Sequence, residues 1–78
     1  MNNICSLSDI RVGEKAVVER LETHGTMRRR LLDIGLCDGT PVECVGCSPM
    51  GDPKAFLIRG AVIAIRASDS RGVIVRGI

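Results

Sequence analysis

Aromatic side chains are almost absent from this chain of 78 residues. Phe56 is its single aromatic residue, and there is no Trp or Tyr. The core must therefore be built from Val, Ile and Leu, and the β-branched residues among them favour strands. Proteins that bind single-stranded nucleic acid usually stack the bases on aromatic rings, so this composition argues against nucleic acid as the partner. A formal net charge of +2 is also too small to indicate nucleic acid by itself.

The chain also has no long apolar run and no targeting signal. Its longest apolar run, Ala61 to Ile65, is far shorter than the roughly 20 residues that a membrane helix needs. The first ten residues contain neither a cationic segment nor a long apolar segment, so we expect a cytoplasmic location. Because no linker, repeat or low-complexity tract interrupts the chain, residues 1–78 are predicted to form a single domain.

The motifs that carry catalysis are absent too. The sequence contains no paired-carboxylate motif, no nucleophile elbow and no glycine-rich phosphate loop. The one histidine, His24, has no catalytic partner that the sequence makes evident. We therefore do not expect an enzyme.

What the chain does contain is a series of short apolar segments separated by turn residues. Apolar residues on both faces of the first segment indicate a strand that bends or carries a bulge. Gly60 is predicted to adopt a positive φ in a tight hairpin, and Ser68 to Ser70 to begin one helical turn. The five predicted strands are Glu14 to Glu22, Thr40 to Cys47, Lys54 to Arg59, Ala61 to Arg66 and Gly72 to Arg76.

These strands predict a mainly β fold. Both strands of the hairpin are apolar on each face, which is typical of a closed or covered sheet. Five short strands in so few residues indicate a small, partly open SH3-like barrel. One short α-helix is predicted between the first and second predicted strands.

That helix is predicted within Thr26 to Gly35. Thr26 is suited to accept a backbone N–H in the first turn, and Gly35 to close the far end in the left-handed conformation. Helical periodicity places Met27, Leu31 and Ile34 in one apolar sector. Other residues share the remaining sides: Arg28 lies beside Leu32, and Arg29 lies beside Asp33.

The arginine triplet of this helix, residues 28–30, opposes the helix dipole, so helix stability does not explain it. Two interpretations stay open: a solvated basic surface, or a face that binds another protein. The second is favoured because Leu32 is predicted to be partly exposed beside an arginine, as an apolar anchor with a basic rim. The predicted partner-binding residues are Arg28, Arg29, Leu32 and Leu36.

Four cysteines invite a metal assignment, and Cys44 and Cys47 have the spacing of half a zinc site. In a regular strand, however, the two side chains point to opposite faces unless Gly46 turns the chain. We therefore predict no cofactor and no metal site, and interpret Cys44 as a small apolar residue of the core. If a metal ion does bind, the candidate ligands are Cys44, Cys47 and His24.

The order and spacing of several short motifs resemble one known family. They are Arg30-Leu31-Leu32-Asp33-Ile34-Gly35-Leu36, Gly39, Gly51-Asp52-Pro53, Gly60 and Ala64-Ile65-Arg66. Together they resemble the FeoA family of small proteins linked to bacterial ferrous iron transport, over nearly the whole chain.

This resemblance implies an SH3-like barrel with a short helix. It also implies a non-catalytic cytoplasmic accessory role, through contact with the cytosolic GTPase-bearing part of the FeoB transporter. A similar module forms the C-terminal domain of metal-dependent repressors of the DtxR type, so the resemblance fixes the fold more firmly than the function. A small-barrel nucleic-acid-binding module and a metal-responsive regulatory module therefore stay open as alternatives.

Overall fold

The computed structural model describes residues 4–77, which form a mainly antiparallel β structure with two short α-helices and one 3-10 helix. The predicted mainly β, SH3-like fold is confirmed. The elements are β1 (Ile4–Ser6), a 3-10 helix (Leu7–Asp9), β2 (Lys15–Leu21), α1 (Gly25–Asp33), β3 (Pro41–Cys47), β4 (Lys54–Ile58), β5 (Ala61–Ile65), α2 (Ala67–Ser70) and β6 (Val73–Gly77).

The described sheet has six strands rather than the five predicted. Their order is β1-β6-β2-β3-β4-β5, with every neighbouring pair antiparallel. The additional strand, β1, spans three residues and pairs with β6 from Ile4↔Arg76 to Ser6↔Ile74. A three-residue strand is too short to show an apolar alternation, which is why the sequence pattern does not predict it.

The sheet bends at two places where its register shifts. On β2 the pairing with β6 shifts between Val18 and Arg20, which confirms the predicted bulge. On β3 the pairing with β4 shifts between Cys44 and Gly46. An extra residue in one strand increases the local twist, and such bulges help a small sheet to curl around its core.

The hairpin between β4 and β5 turns on Arg59 and Gly60, whose φ angles are +50° and +82°. Two positive φ angles in a two-residue loop are the signature of a type I′ turn, so the expectation for Gly60 is confirmed. The prediction that both faces of this hairpin are covered is wrong. Val62 is 65% exposed and Ala64 is also exposed, because only the inner face packs on the core.

The core fills the concave side of the sheet. Its largest fully buried side chains include Phe56, Leu7, Leu36 and Ile58. Leu31 of α1 is buried, and Met27 and Ile34 pack partly buried against the core, which confirms the apolar sector predicted for this helix. The helix is thus fixed to the barrel by packing, as its length of nine residues requires. No helix within residues 4–77 is long and apolar enough to cross a membrane.

Candidate functional site

The N-terminal end of α1 differs from the sequence prediction. The helix begins at Gly25, and the residue that precedes it, His24, forms no side-chain capping hydrogen bond. Gly25 has a φ of +67°, so the chain changes direction before Thr26 is reached. Thr26 therefore lies inside the first turn and is not the cap. The side chain of the cap residue accepts no hydrogen bond from the backbone N–H groups at this end of the helix.

The C-terminal end of α1 forms as predicted at Gly35, which has a φ of +102°. The N–H of Gly35 donates to the Leu32 carbonyl at 3.0 Å, and the N–H of Leu36 donates to the Leu31 carbonyl at 3.1 Å. These two bonds define a Schellman motif, which is commonly accompanied by an apolar contact across the helix end. Leu31 and Leu36 are both buried here.

This motif corrects one predicted partner residue. The Leu36 side chain is 0% exposed because the Schellman turn directs it into the core. It therefore offers no surface to a partner. A leucine directly after a glycine that ends a helix is itself a sequence signal for this motif.

The other three predicted partner residues lie together around a shallow depression of about 350 Å³ on α1. We call this surface the helix patch; it is lined by Gly25, Arg28, Arg29, Leu32 and Asp33. Leu32 is 38% exposed, and both arginines are exposed. Gly25 and Asp33 are not among the predicted partner residues, although helical periodicity places Asp33 beside Arg29.

The arginines of the helix patch are free of carboxylate partners. Within residues 4–77 the only ion pairs are Arg20–Glu22 at 2.8 Å and Arg76–Glu19 at 3.0 Å. Arg28 donates one long hydrogen bond of 3.4 Å to the Leu21 carbonyl. A partner carboxylate would therefore meet guanidinium groups that form no ion pair among residues 4–77, although Asp33 lines the same patch. The patch combines one apolar anchor with a basic rim.

The cysteines and His24 do not form a metal centre in the described part of the chain. The shift in β3 places Cys44 opposite Phe56 and Cys47 opposite Lys54, so the register brings both cysteines to one face. Cys44 is nevertheless fully buried, as predicted, whereas Cys47 is exposed. Among residues 4–77, no three His, Cys, Asp or Glu side chains are grouped so that they could hold a metal ion.

The chain matches a known family model and a curated relative. Residues 5–77 match the FeoA domain. A protein of Porphyromonas gingivalis (strain ATCC BAA-308 / W83), described as an Fe(2+) transport protein A/Fe(2+) transporter FeoB fusion protein, is 33% identical over 64 residues. That alignment covers 82% of this chain but spans only 8% of the length of the relative.

Solved structures similar to this chain include two FeoA proteins. The solution structure of an FeoA-like protein from Clostridium acetobutylicum is 28% identical with a TM-score of 0.91, and the match covers all of this chain and 91% of that one. The Stenotrophomonas maltophilia FeoA, an SH3 domain protein crystallised with zinc, is also 28% identical with a TM-score of 0.80, over 90% and 87% of the two chains.

A manganese-dependent transcriptional repressor has the same fold at 16% identity, with a TM-score of 0.87 over 96% of this chain and 37% of the repressor. At that identity the likeness concerns the fold alone. The match of the family model over residues 5–77, with structural neighbours that are themselves FeoA proteins, decides the family. The chain therefore belongs to the FeoA domain family.

Proposed function

We propose that this chain is a non-catalytic, cytoplasmic accessory module of ferrous iron uptake that binds the cytosolic, GTPase-bearing part of the FeoB transporter. The observation that carries this proposal is the relative in which an FeoA portion and FeoB form one polypeptide. Fusion keeps two parts together at a high effective concentration without any contact of high affinity.

The helix patch is the surface that we propose for this contact. Protein interfaces combine a buried apolar anchor with a polar rim, and arginine is enriched in their energetically dominant residues. Leu32 supplies the anchor, while Arg28 and Arg29 supply the rim. Their unpaired charges favour an acidic surface on the partner and increase its rate of association.

The main alternative, a nucleic-acid-binding barrel, receives less support. The only Phe, Tyr or Trp ring of the chain, that of Phe56, is 0% exposed. No such ring is therefore available on the surface for bases to stack on, and the imidazole of His24 is a single exposed ring rather than a stacking platform. The shared fold of the metal-dependent repressor does not favour this function, because one fold serves many functions.

The substitution Leu32→Glu tests the proposed contact. Calorimetric titration with the purified cytosolic domain of the FeoB transporter from the same genome should show at least a tenfold weaker Kd, equivalent to about 1.4 kcal/mol. The far-ultraviolet spectrum and melting temperature should stay near those of the wild type, because Leu32 lies at the surface.

Met50→Glu is the matched control, since Met50 is an apolar side chain that is 90% exposed and lies outside the helix patch. It should leave the Kd unchanged. Equal Kd values for the two variants would show that the helix patch is not the contact, and an absence of binding by the wild type would refute the proposed partner.

A further inference from the structure

The outer edge of β5 carries backbone groups that no strand in the described chain uses. β5 is the last strand of the sheet and pairs only with β4. In a two-residue hairpin the flanking pair, here Ile58↔Ala61, exchanges hydrogen bonds, and the hydrogen-bonded pairs then alternate along the strands. Ala61, Ile63 and Ile65 therefore bond to β4. The N–H and C=O groups of Val62 and Ala64 point away from the sheet.

The strand β5 itself contains none of the residues that normally protect a sheet edge. Natural edges are protected by charged side chains, prolines or bulges within the strand, or by a covering helix or loop. β5 reads Ala-Val-Ile-Ala-Ile, and its register with β4 is continuous over all five pairs. Within residues 4–77, no loop or side chain forms a hydrogen bond with the backbone of Val62 or Ala64. The edge is ready to accept another strand.

A cleft beside this edge, between α1 and β5, is the right size for one aliphatic side chain. Its volume is about 130 Å³, and most of its lining is apolar: Met27, Leu31, Ile34, Ile63, Ala64 and Ile65, with Arg30 and Asp69 as its charged residues. Side chains of an added strand alternate between the two faces of the sheet. One that points to the same face as Ile63 and Ile65 would enter this cleft.

The charges around the edge favour an acidic occupant. Arg59 and Arg66 bracket β5 in the sequence, and Arg30 lines the cleft. None of these three arginines belongs to an ion pair among residues 4–77. Asp69 is the single carboxylate of the cleft. The local charge is therefore positive, and carboxylates on an incoming segment would be attracted to it.

We propose that the outer edge of β5 binds an extended, acidic segment of the partner protein as an added strand, with one aliphatic side chain of that segment in the cleft between α1 and β5. The identity of the partner rests on the function proposed above; the mode of binding rests on the edge itself. Main-chain hydrogen bonds supply affinity in this mode, and the side-chain pocket supplies specificity.

Amide hydrogen exchange, followed by NMR on the full chain, tests this proposal. Two probes are used: the purified cytosolic domain of the FeoB transporter, and a blocked seven-residue peptide with a central leucine, flanking threonines and terminal aspartates. Each probe is expected to slow exchange at Val62 and Ala64 at least tenfold and to shift the methyl signals of Ile34 and Ile63. The same peptide with terminal lysines should bind at least tenfold more weakly.

The substitution Ala64→Pro removes an N–H that forms no hydrogen bond within the described chain, and proline is tolerated on sheet edges. It should weaken binding of both probes at least tenfold. Its control, Ala64→Ser, retains the N–H and should bind as the wild type does. The exchange measurement on the wild type needs no variant, so it decides the question even if Ala64→Pro fails to fold.

The outcomes separate the two proposals. If the cytosolic domain binds and perturbs the helix patch but leaves exchange at Val62 and Ala64 unchanged, the edge proposal is overturned and the proposed function stands. If the peptide alone protects these amides, the edge proposal stands and the proposed partner is wrong. Protection that grows with protein concentration in the absence of a probe overturns the edge proposal in favour of self-pairing, and no protection by either probe overturns it outright.

Discussion

Leu32 and Leu36 lie four residues apart and have opposite environments. Leu32 is 38% exposed in the helix patch, whereas Leu36 is fully buried behind the Schellman turn. The loss of a buried leucine removes its transfer free energy and leaves a cavity, which together cost about 2–5 kcal/mol. Leu36→Ala should therefore lower the free energy of unfolding by that amount.

Leu32→Ala serves as the comparison, because surface substitutions usually change stability by no more than about 0.5 kcal/mol. Urea unfolding followed by far-ultraviolet circular dichroism measures both variants without a tryptophan signal. Similar losses in the two variants would contradict the assignment of Leu36 to the core and Leu32 to the surface.

The thiol of Cys5 is partly buried in β1, near two carboxylates. Burial raises the pKa of this thiol above its ordinary value, and the nearby carboxylates of Asp9 and Glu14 raise it further. The folded state therefore holds this proton more tightly than the unfolded state. The resulting stabilisation is fully present below the unfolded pKa and is lost as the pH rises through the folded pKa.

Cys5→Ala tests this linkage. The stability difference between the wild type and the variant should shrink as the pH rises above about 9, in the presence of a reductant that keeps the thiols free. Urea unfolding at a series of pH values measures it. A difference that stays constant or increases across that range would contradict the direction of the shift.

At the scale of an element, α1 depends on its C-terminal glycine. Gly35 has a φ of +102°, and a Cβ added there would lie 3.0 Å from Cδ of Arg59. A residue with a Cβ pays about 1–2 kcal/mol in the left-handed conformation, before any crowding is counted. Gly35→Ala should therefore destabilise the protein by at least that amount in a thermal or urea unfolding measurement.

Gly39→Ala separates the two costs, because Gly39 has a φ of +82° and nothing within 4 Å of an added Cβ. It should show the backbone cost alone. If Gly39→Ala destabilises the protein as much as Gly35→Ala does, crowding of the added Cβ against Arg59 adds nothing to the cost at Gly35.

The sequence predicts those structural features that are encoded by a short run of consecutive residues. Gly35 ends α1 and Gly60 turns the hairpin because the positive φ at each position favours glycine, and the apolar sector of α1 follows from its period. The bulge in β2 is visible as a break in alternation. Each of these features is encoded within a few consecutive residues.

The features that the sequence does not predict depend on tertiary contacts. β1 is held by pairing with β6, which lies some seventy residues away along the chain. The exposure of Val62 depends on which face of the sheet packs on the core, and a strand that is apolar on both faces does not reveal that. Helical periodicity predicts that Arg28, Arg29 and Leu32 of the helix patch lie at the surface. The burial of Leu36 depends on the geometry of the turn that follows the helix.

At the scale of the whole molecule, Lys54 connects two distant parts of the sheet. β1, and with it the following 3-10 helix, lies at one edge, while β4 is next to the other edge. The Nζ of Lys54, on β4, donates to the carbonyls of Ser8 at 2.9 Å and Ile10 at 2.8 Å. Within residues 4–77, strand pairing does not close the sheet, so the hydrogen bonds of Lys54 link two parts of the fold that no strand pairing joins.

Lys54→Met tests this role by keeping the apolar length of the side chain and removing the ammonium group. Hydrogen bonds to a charged group contribute about 1.5–3 kcal/mol, and the two carbonyls would lose their donor, so a loss of at least about 1.5 kcal/mol is expected on urea unfolding. Lys15→Met, at an exposed position on β2, should change stability by less than about 0.5 kcal/mol. Lys54→Met should also accelerate hydrogen exchange more in β1 than in β3, because the edge of the sheet that Lys54 holds would open first. An equal effect of the two lysine substitutions would mean that apolar packing alone holds the two ends of the sheet together.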